Sequence, residues 1–145
     1  MVELAVVMTV MATLLGFITI SLVRSQQGAS LTSVEEILLT DLKQQQLKAM
    51  IGDTEGRADS DQYGIHFDQT KYVLFYGAYS TGDTSNSVIN LDSNMQFNNS
   101  NFNVIFSKLS GTTSAIIIEL QDKTNLSLKK IHLNSLGVVT EVESL

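Results

Sequence analysis

Cysteine is absent from this 145-residue chain, and so is proline. The first absence removes disulfides, thiolate metal sites and cysteine nucleophiles, and leaves the redox compartment open. The second means that no helix is obliged to break or kink at a proline ring. Clustered positive charge is missing as well. The net charge is −6 with a pI near 4.7, and no run of Lys or Arg exceeds the pair Lys129-Lys130. Phosphate backbones demand clustered cations, so this balance argues against nucleic acid, and equally against anionic headgroups as specific ligands. The last lack is local: from Leu4 to Val23 no side chain is charged. A helix of about 20 residues spans about 30 Å, the thickness of the hydrocarbon core of a bilayer. The apolar core of a signal peptide is shorter, about 7–15 residues, and is followed by a small-residue cleavage site. Val23-Arg24-Ser25-Gln26 offers none. The expectation is a retained single-pass membrane helix over residues 1–24.

That segment is apolar on every face, so it must be surrounded by lipid or by other helices. Thr9, Thr13, Gly16, Thr19 and Ser21 allow close helix–helix approach. An ordinary lipid anchor with scattered hydroxyls is the plain alternative. Beyond Val23, Leu31, Val34, Ile37, Leu38 and Leu42 recur at helical spacing, followed after a slip by Leu47, Met50 and Ile51. Glu35, Glu36, Asp41, Lys43, Gln44-Gln45-Gln46 and Lys48 stand between them. The pattern predicts an amphipathic helix over residues 25–51 with one apolar stripe. Ser33-Val34-Glu35-Glu36 fits a capping box, which would place a break between Gly28 and Ser33. The preferred reading is a continuous helix of about 48 residues and about 70 Å, ended by Gly52-Asp53.

From residue 52 to 145 a β-rich domain is expected. Tyr63–Phe67 and Lys71–Tyr76 alternate with period two around Asp68-Gln69-Thr70, a hairpin signature. Further short strands are expected at Val88–Leu91, Met95–Phe97, Phe102–Leu109, Ala115–Leu120, Leu126–Leu133 and Val138–Val142. Six to eight strands with no helix between them make an antiparallel sheet, and its inner face is the natural partner of the helical stripe. The fold class is therefore α+β: a long N-terminal helix, membrane-spanning in its first half, packed on a C-terminal antiparallel sheet domain.

One carboxylate, Glu3, stands at the head of the uncharged run, where a charge costs energy unless it snorkels to water or finds a partner. Val2-Glu3-Leu4, the uncharged run, the amphipathic continuation and the β-domain together resemble the type IV pilin and type II secretion pseudopilin superfamily. The mature N-terminus of that family reads Phe-Thr-Leu-x-Glu-Leu, and its last three residues match Val2-Glu3-Leu4. By this resemblance Met1 stands in place of Leu, and the chain starts about two residues inside the mature protein, without the basic leader and the methylated Phe. Tyr63–Phe67, Lys71–Phe75 and Lys130–Val139 look like the minor pseudopilins that cap or prime filaments, the GspH/FimT-like subgroup. The kink-inducing proline and the cysteine pair of many major pilins are not found, which favours a minor subunit.

The resemblance implies a bacterial inner-membrane protein with its β-domain outside the cytoplasm. It further implies prepilin peptidase acting on the precursor, an inner-membrane assembly platform, and other pilin or pseudopilin subunits as partners in a pilus or secretion pseudopilus. Arg24, Lys43 and Lys48 follow the span, so the positive-inside rule applied to these residues alone would put the domain in the cytoplasm. The family's leader would supply the balancing charge. Glu3 is expected to pair with the α-amine of a neighbouring subunit, which would fix axial register, because a slipped helix leaves a buried charge unpaired.

Catalytic chemistry is not expected. His66 and His132 each sit in an alternating strand pattern and read as half-exposed structural residues, and no nucleophile elbow occurs. Asp53, Glu55, Asp59 and Asp61 form an acidic loop. Some pseudopilins bind calcium, but the spacing here does not match an EF-hand, and a solvated loop is expected. Tyr72, Phe75, Tyr76 and Tyr79 could form a binding platform, but are expected to divide between core and sheet surface. Two rival readings remain: a minor pilin that captures DNA, and a membrane-tethered ligand-binding domain unrelated to pili.

Overall fold

A computed structural model describes residues 30–145, together with Met8. The uncharged run, Glu3 and the junction at Gly28 lie outside the described residues. Helix α1 covers residues 30–51. This stretch holds no glycine and is rich in Leu, Gln, Glu and Lys, which lose little freedom in a helix. Ser33 lies inside it, so the capping-box alternative does not hold. At its end Gly52 takes φ +65°, and the amides of Gly52 and Asp53 bond back to the carbonyls of Ala49 and Lys48 at 3.3 and 3.0 Å. That pair of bonds satisfies carbonyls that the helix would otherwise leave open.

The stripe differs from the one expected. Leu31, Leu38, Leu42 and Ala49 are buried, and so are Glu35 and Gln45, while Ile37, Leu47, Met50 and Ile51 are exposed. At 3.6 residues per turn the face carrying Leu38 and Leu42 returns at Gln45 and Ala49. Leu47 and Ile51 fall on the opposite side.

Eight strands follow: β1 Tyr63–Phe67, β2 Lys71–Tyr76, β3 Ser87–Asn90, β4 Met95–Phe97, β5 Phe102–Phe106, β6 Ile116–Asp122, β7 Leu128–Leu133 and β8 Val139–Ser144. They form two four-stranded antiparallel sheets in place of the single sheet expected, ordered β3-β2-β1-β5 and β4-β6-β7-β8. The expected hairpin is present, with Phe67 opposite Tyr72 and Tyr63 opposite Tyr76. Strand β5 stops at Phe106, short of Leu109, because the chain turns at residues 107–110 and Leu109 takes φ +61°.

Alternation sends Tyr63, Ile65, Phe67, Val104 and Phe106 of the first sheet inward, and Phe97, Ile118, Leu120, Ile131 and Leu133 of the second. The sheets meet along an aromatic seam, where the rings of Phe67 and Phe97 stand edge-to-face with centroids 5.1 Å apart. Leu38 and Leu42 join this core from α1. Each such buried side chain contributes about 1.5–3 kcal/mol of transfer free energy. Polar contacts join α1 to both sheets. Tyr72 of β2 donates to Asp41 at 2.6 Å, and Lys129 of β7 lies 3.0 Å from Glu35.

Candidate functional site

Two surfaces are left once the core is built: the outward side of α1 and the outer faces of the sheets. The outward side carries Glu36, Thr40 and Lys43 with exposed Ile37, Leu47 and Ile51, while Met50 is exposed at its flank. Ile37 borders two shallow grooves. One, of about 290 Å³, runs along Ser33, Val34, Tyr72 and Ile89. The other, of about 300 Å³, is formed by Ser33, Glu36, Thr40 and Asp41. Ile37, Leu47 and Ile51 stand outside the buried core of the subunit.

The inward side holds α1 rigidly. Beyond Glu35 and Asp41, Gln46 donates to the carbonyls of Gly111 and Leu136, at 3.1 and 2.7 Å. The Leu109 amide donates to the Ala49 carbonyl at 2.8 Å. Gly111 takes φ +65°, and a Cβ there would collide with Met50, so the loop after β5 can seat against the helix only with glycine at that position. Gln46 stands in a run of three glutamines that reads as solvated. Its azimuth beside Leu42 and Ala49 is the signal that would have marked it.

Between the end of α1 and β2 lies a cleft of about 250 Å³ lined by Gln44, Gln45, Lys48, Glu55, Tyr63 and Tyr76. The side-chain oxygen of Gln45 is buried there without a hydrogen-bond partner. The cations around it are already engaged: Lys48 and Arg57 bind the two carboxylate oxygens of Glu55 at 2.7 and 2.9 Å. The Lys48 hydrogen bond, with that of Arg57, holds the Glu55 carboxyl below its usual range against the opposing effect of burial. Burial, with the charges of Glu55 and Asp53 nearby, pushes the Tyr63 phenol up to about 12. Its hydroxyl donates to the Asp53 carbonyl at 3.1 Å.

The acidic loop is thus partly tied into ion pairs and turns, and Asp53, Glu55, Asp59 and Asp61 do not converge on a cation position among the described residues. The aromatic group divides as expected. Tyr72 and Tyr76 face the core side, whereas Phe75 and Tyr79 pack on the other face, where Tyr79 stacks on His66 at 4.0 Å. His66 also lies 2.7 Å from the Asn103 side chain. Among the described residues one set of potential metal ligands does converge, and it was not anticipated: His132, Glu141 and Glu143, with donor atoms all within 4.8 Å of one another.

Glu3, the residue expected to mediate assembly, lies outside the described residues. Among the described residues no helix is long and apolar enough to cross a membrane. No family model, curated protein or solved structure matches the chain.

Proposed function

We propose that this chain is a type IV pilin-like subunit, a minor pilin or pseudopilin of a pilus or type II secretion pseudopilus, and that it acts by polymerising rather than by catalysis. The observation that carries this reading is the two-sided use of α1. One side is locked onto two sheets by Leu38, Leu42, Glu35, Asp41 and Gln46, and the other still offers Ile37, Leu47 and Ile51. The helix continues a chain whose upstream run, Leu4 to Val23, carries no charge. An uncharged run upstream, and a free helix side downstream on which Ile37, Leu47 and Ile51 stand among Glu36, Thr40 and Lys43, suit packing among copies of the chain.

In this reading the upstream run first crosses the inner membrane, with the β-domain on the extracytoplasmic side, and then forms the filament core. Glu3 sets the register by pairing with a neighbour's α-amine. The partners are other pilin or pseudopilin subunits, the assembly platform and, for the precursor, prepilin peptidase. The disposition of charge supports a structural role over DNA capture. Lys48, Arg57, Lys71, Lys129 and Lys130 each stand within 4.0 Å of a carboxylate oxygen, and cations so paired with carboxylates form no open cluster for phosphates.

The test is Glu3→Ala, expressed with a complete set of assembly components. Membrane insertion is expected to persist, since removing a charge eases insertion. Incorporation into sheared filaments is expected to be lost. Filaments that take up the variant at the normal level would remove the role assigned to Glu3.

A further inference from the structure

We propose that His132, Glu141 and Glu143 form a binding site for a divalent transition-metal ion of the zinc type, on the outer face of β7 and β8. This goes beyond the assembly reading and does not depend on it. The site originates in a bulge. Leu133 pairs with Val139, but His132 pairs with Glu141, so Thr140 is an extra residue in β8. Strand side chains alternate between faces, and without the extra residue Glu141 and Glu143 would stand opposite Ile131 and Lys129, on the helix-facing side. With it, Val142 turns inward opposite Ile131, and both glutamates join His132 on the outer face.

The imidazole is prepared for a ligand. Its Nε2 atom is buried and makes no hydrogen bond. It stands 3.9 Å from Oε2 of Glu143. That gap is too long for a hydrogen bond, and a tetrahedral ion with bonds of about 2.0–2.2 Å would hold the two atoms about 3.4 Å apart, a distance that a small rotation of the Glu143 side chain reaches. Glu141 is exposed and free to rotate the remaining distance. Lys130, which faces Glu143 across the strands, points its ammonium at Glu119 instead, at 3.7 Å, and so does not fill the position.

One neutral imidazole and two carboxylates carry two negative charges, matched to a divalent ion. A mixed nitrogen and oxygen donor set suits zinc and its neighbours, whereas calcium and magnesium prefer oxygen alone. A groove lined by Ala115, Ile117, Leu133 and Thr140 reaches His132 and opens this side of the ring to solvent. Bound metal would pin the edge strand β8 to β7.

The full chain, purified in detergent and stripped with EDTA, is titrated with zinc chloride and separately with cobalt chloride. One equivalent of uptake, the visible absorption of tetrahedral cobalt and a raised melting temperature are expected. Glu141→Gln and Glu143→Gln are each expected to weaken binding at least about tenfold. His132→Ala should abolish the cobalt spectrum, and His66→Ala should leave it unchanged. Both glutamates lie on the outer face, so their variants keep the test intact even if His132→Ala folds poorly. No uptake by the unaltered chain, full binding by either glutamine variant, or dependence on His66 instead of His132 overturns the site.

Discussion

Glu55 is the residue on which the acidic loop turns. It accepts from Lys48 at the end of α1 and from Arg57 two residues on, and the Arg57 guanidinium in turn lies over the Tyr76 ring at 4.2 Å. Its carboxyl is held below the ordinary value of 4.5, chiefly by Lys48. A carboxyl depressed in the folded state contributes stability that is present above its unfolded value and disappears as pH falls through the folded one. The loop over residues 53–61 should therefore loosen on acidification below about pH 4.5. The Arg57 amide, bonded to the Thr54 carbonyl at 2.9 Å, is the reporter. Corrected for intrinsic rates, its hydrogen exchange is expected to accelerate in acid in the natural chain, and to be fast and nearly independent of pH in Glu55→Gln. Equal exchange in both proteins would show that the ion pairs do not order the loop.

Among elements, α1 is tied to β7 by an ion pair. Glu35 and Lys129 face each other largely shielded from water, their side chains 12 % and 18 % exposed. Removing one partner strands a buried charge, whereas replacing both by apolar groups can be neutral. Lys129→Ala is expected to cost about 1–3 kcal/mol in a denaturant titration. The double change Glu35→Leu with Lys129→Met is expected to recover most of that loss. The outer-face pair of Lys130 and Glu119 is the control, because Lys130→Ala should change stability by no more than about 0.5 kcal/mol. A Lys129→Ala variant as stable as the natural chain would mean that the pair of Glu35 and Lys129 adds nothing to the hold on α1. The bulge at Thr140 belongs to this scale too, since one inserted residue decides which side of the second sheet two glutamates occupy.

For the whole molecule, the free side of α1 separates folding from assembly. Leu47 and Ile51 are exposed, so Leu47→Gln and Ile51→Gln should alter unfolding free energy by no more than about 0.5 kcal/mol. If copies of this chain pack along α1, the same substitutions should lower incorporation into filaments while leaving the monomer folded by circular dichroism. Unchanged incorporation would take Leu47 and Ile51 out of the assembly surface. Leu38→Ala gives the opposite signature. It opens a cavity in the shared core and costs about 2–5 kcal/mol of stability.

The α+β class, the β1–β2 hairpin, β4 and the helix stop at Gly52 were legible in the sequence because each depends on neighbours along the chain: period, turn residues and a glycine at positive φ. What the sequence could not express was partnership at a distance. The division of the strands into two sheets depends on which edges pair. The burial of Glu35 depends on Lys129, far along the chain, and Gln46 reads as solvent-facing until Gly111 and Leu136 come to meet it. His132 read as an ordinary strand histidine, and only a register shift of one residue set Glu141 and Glu143 beside it. Local periodicity determines what each segment is, and long-range packing decides which side chains share a face.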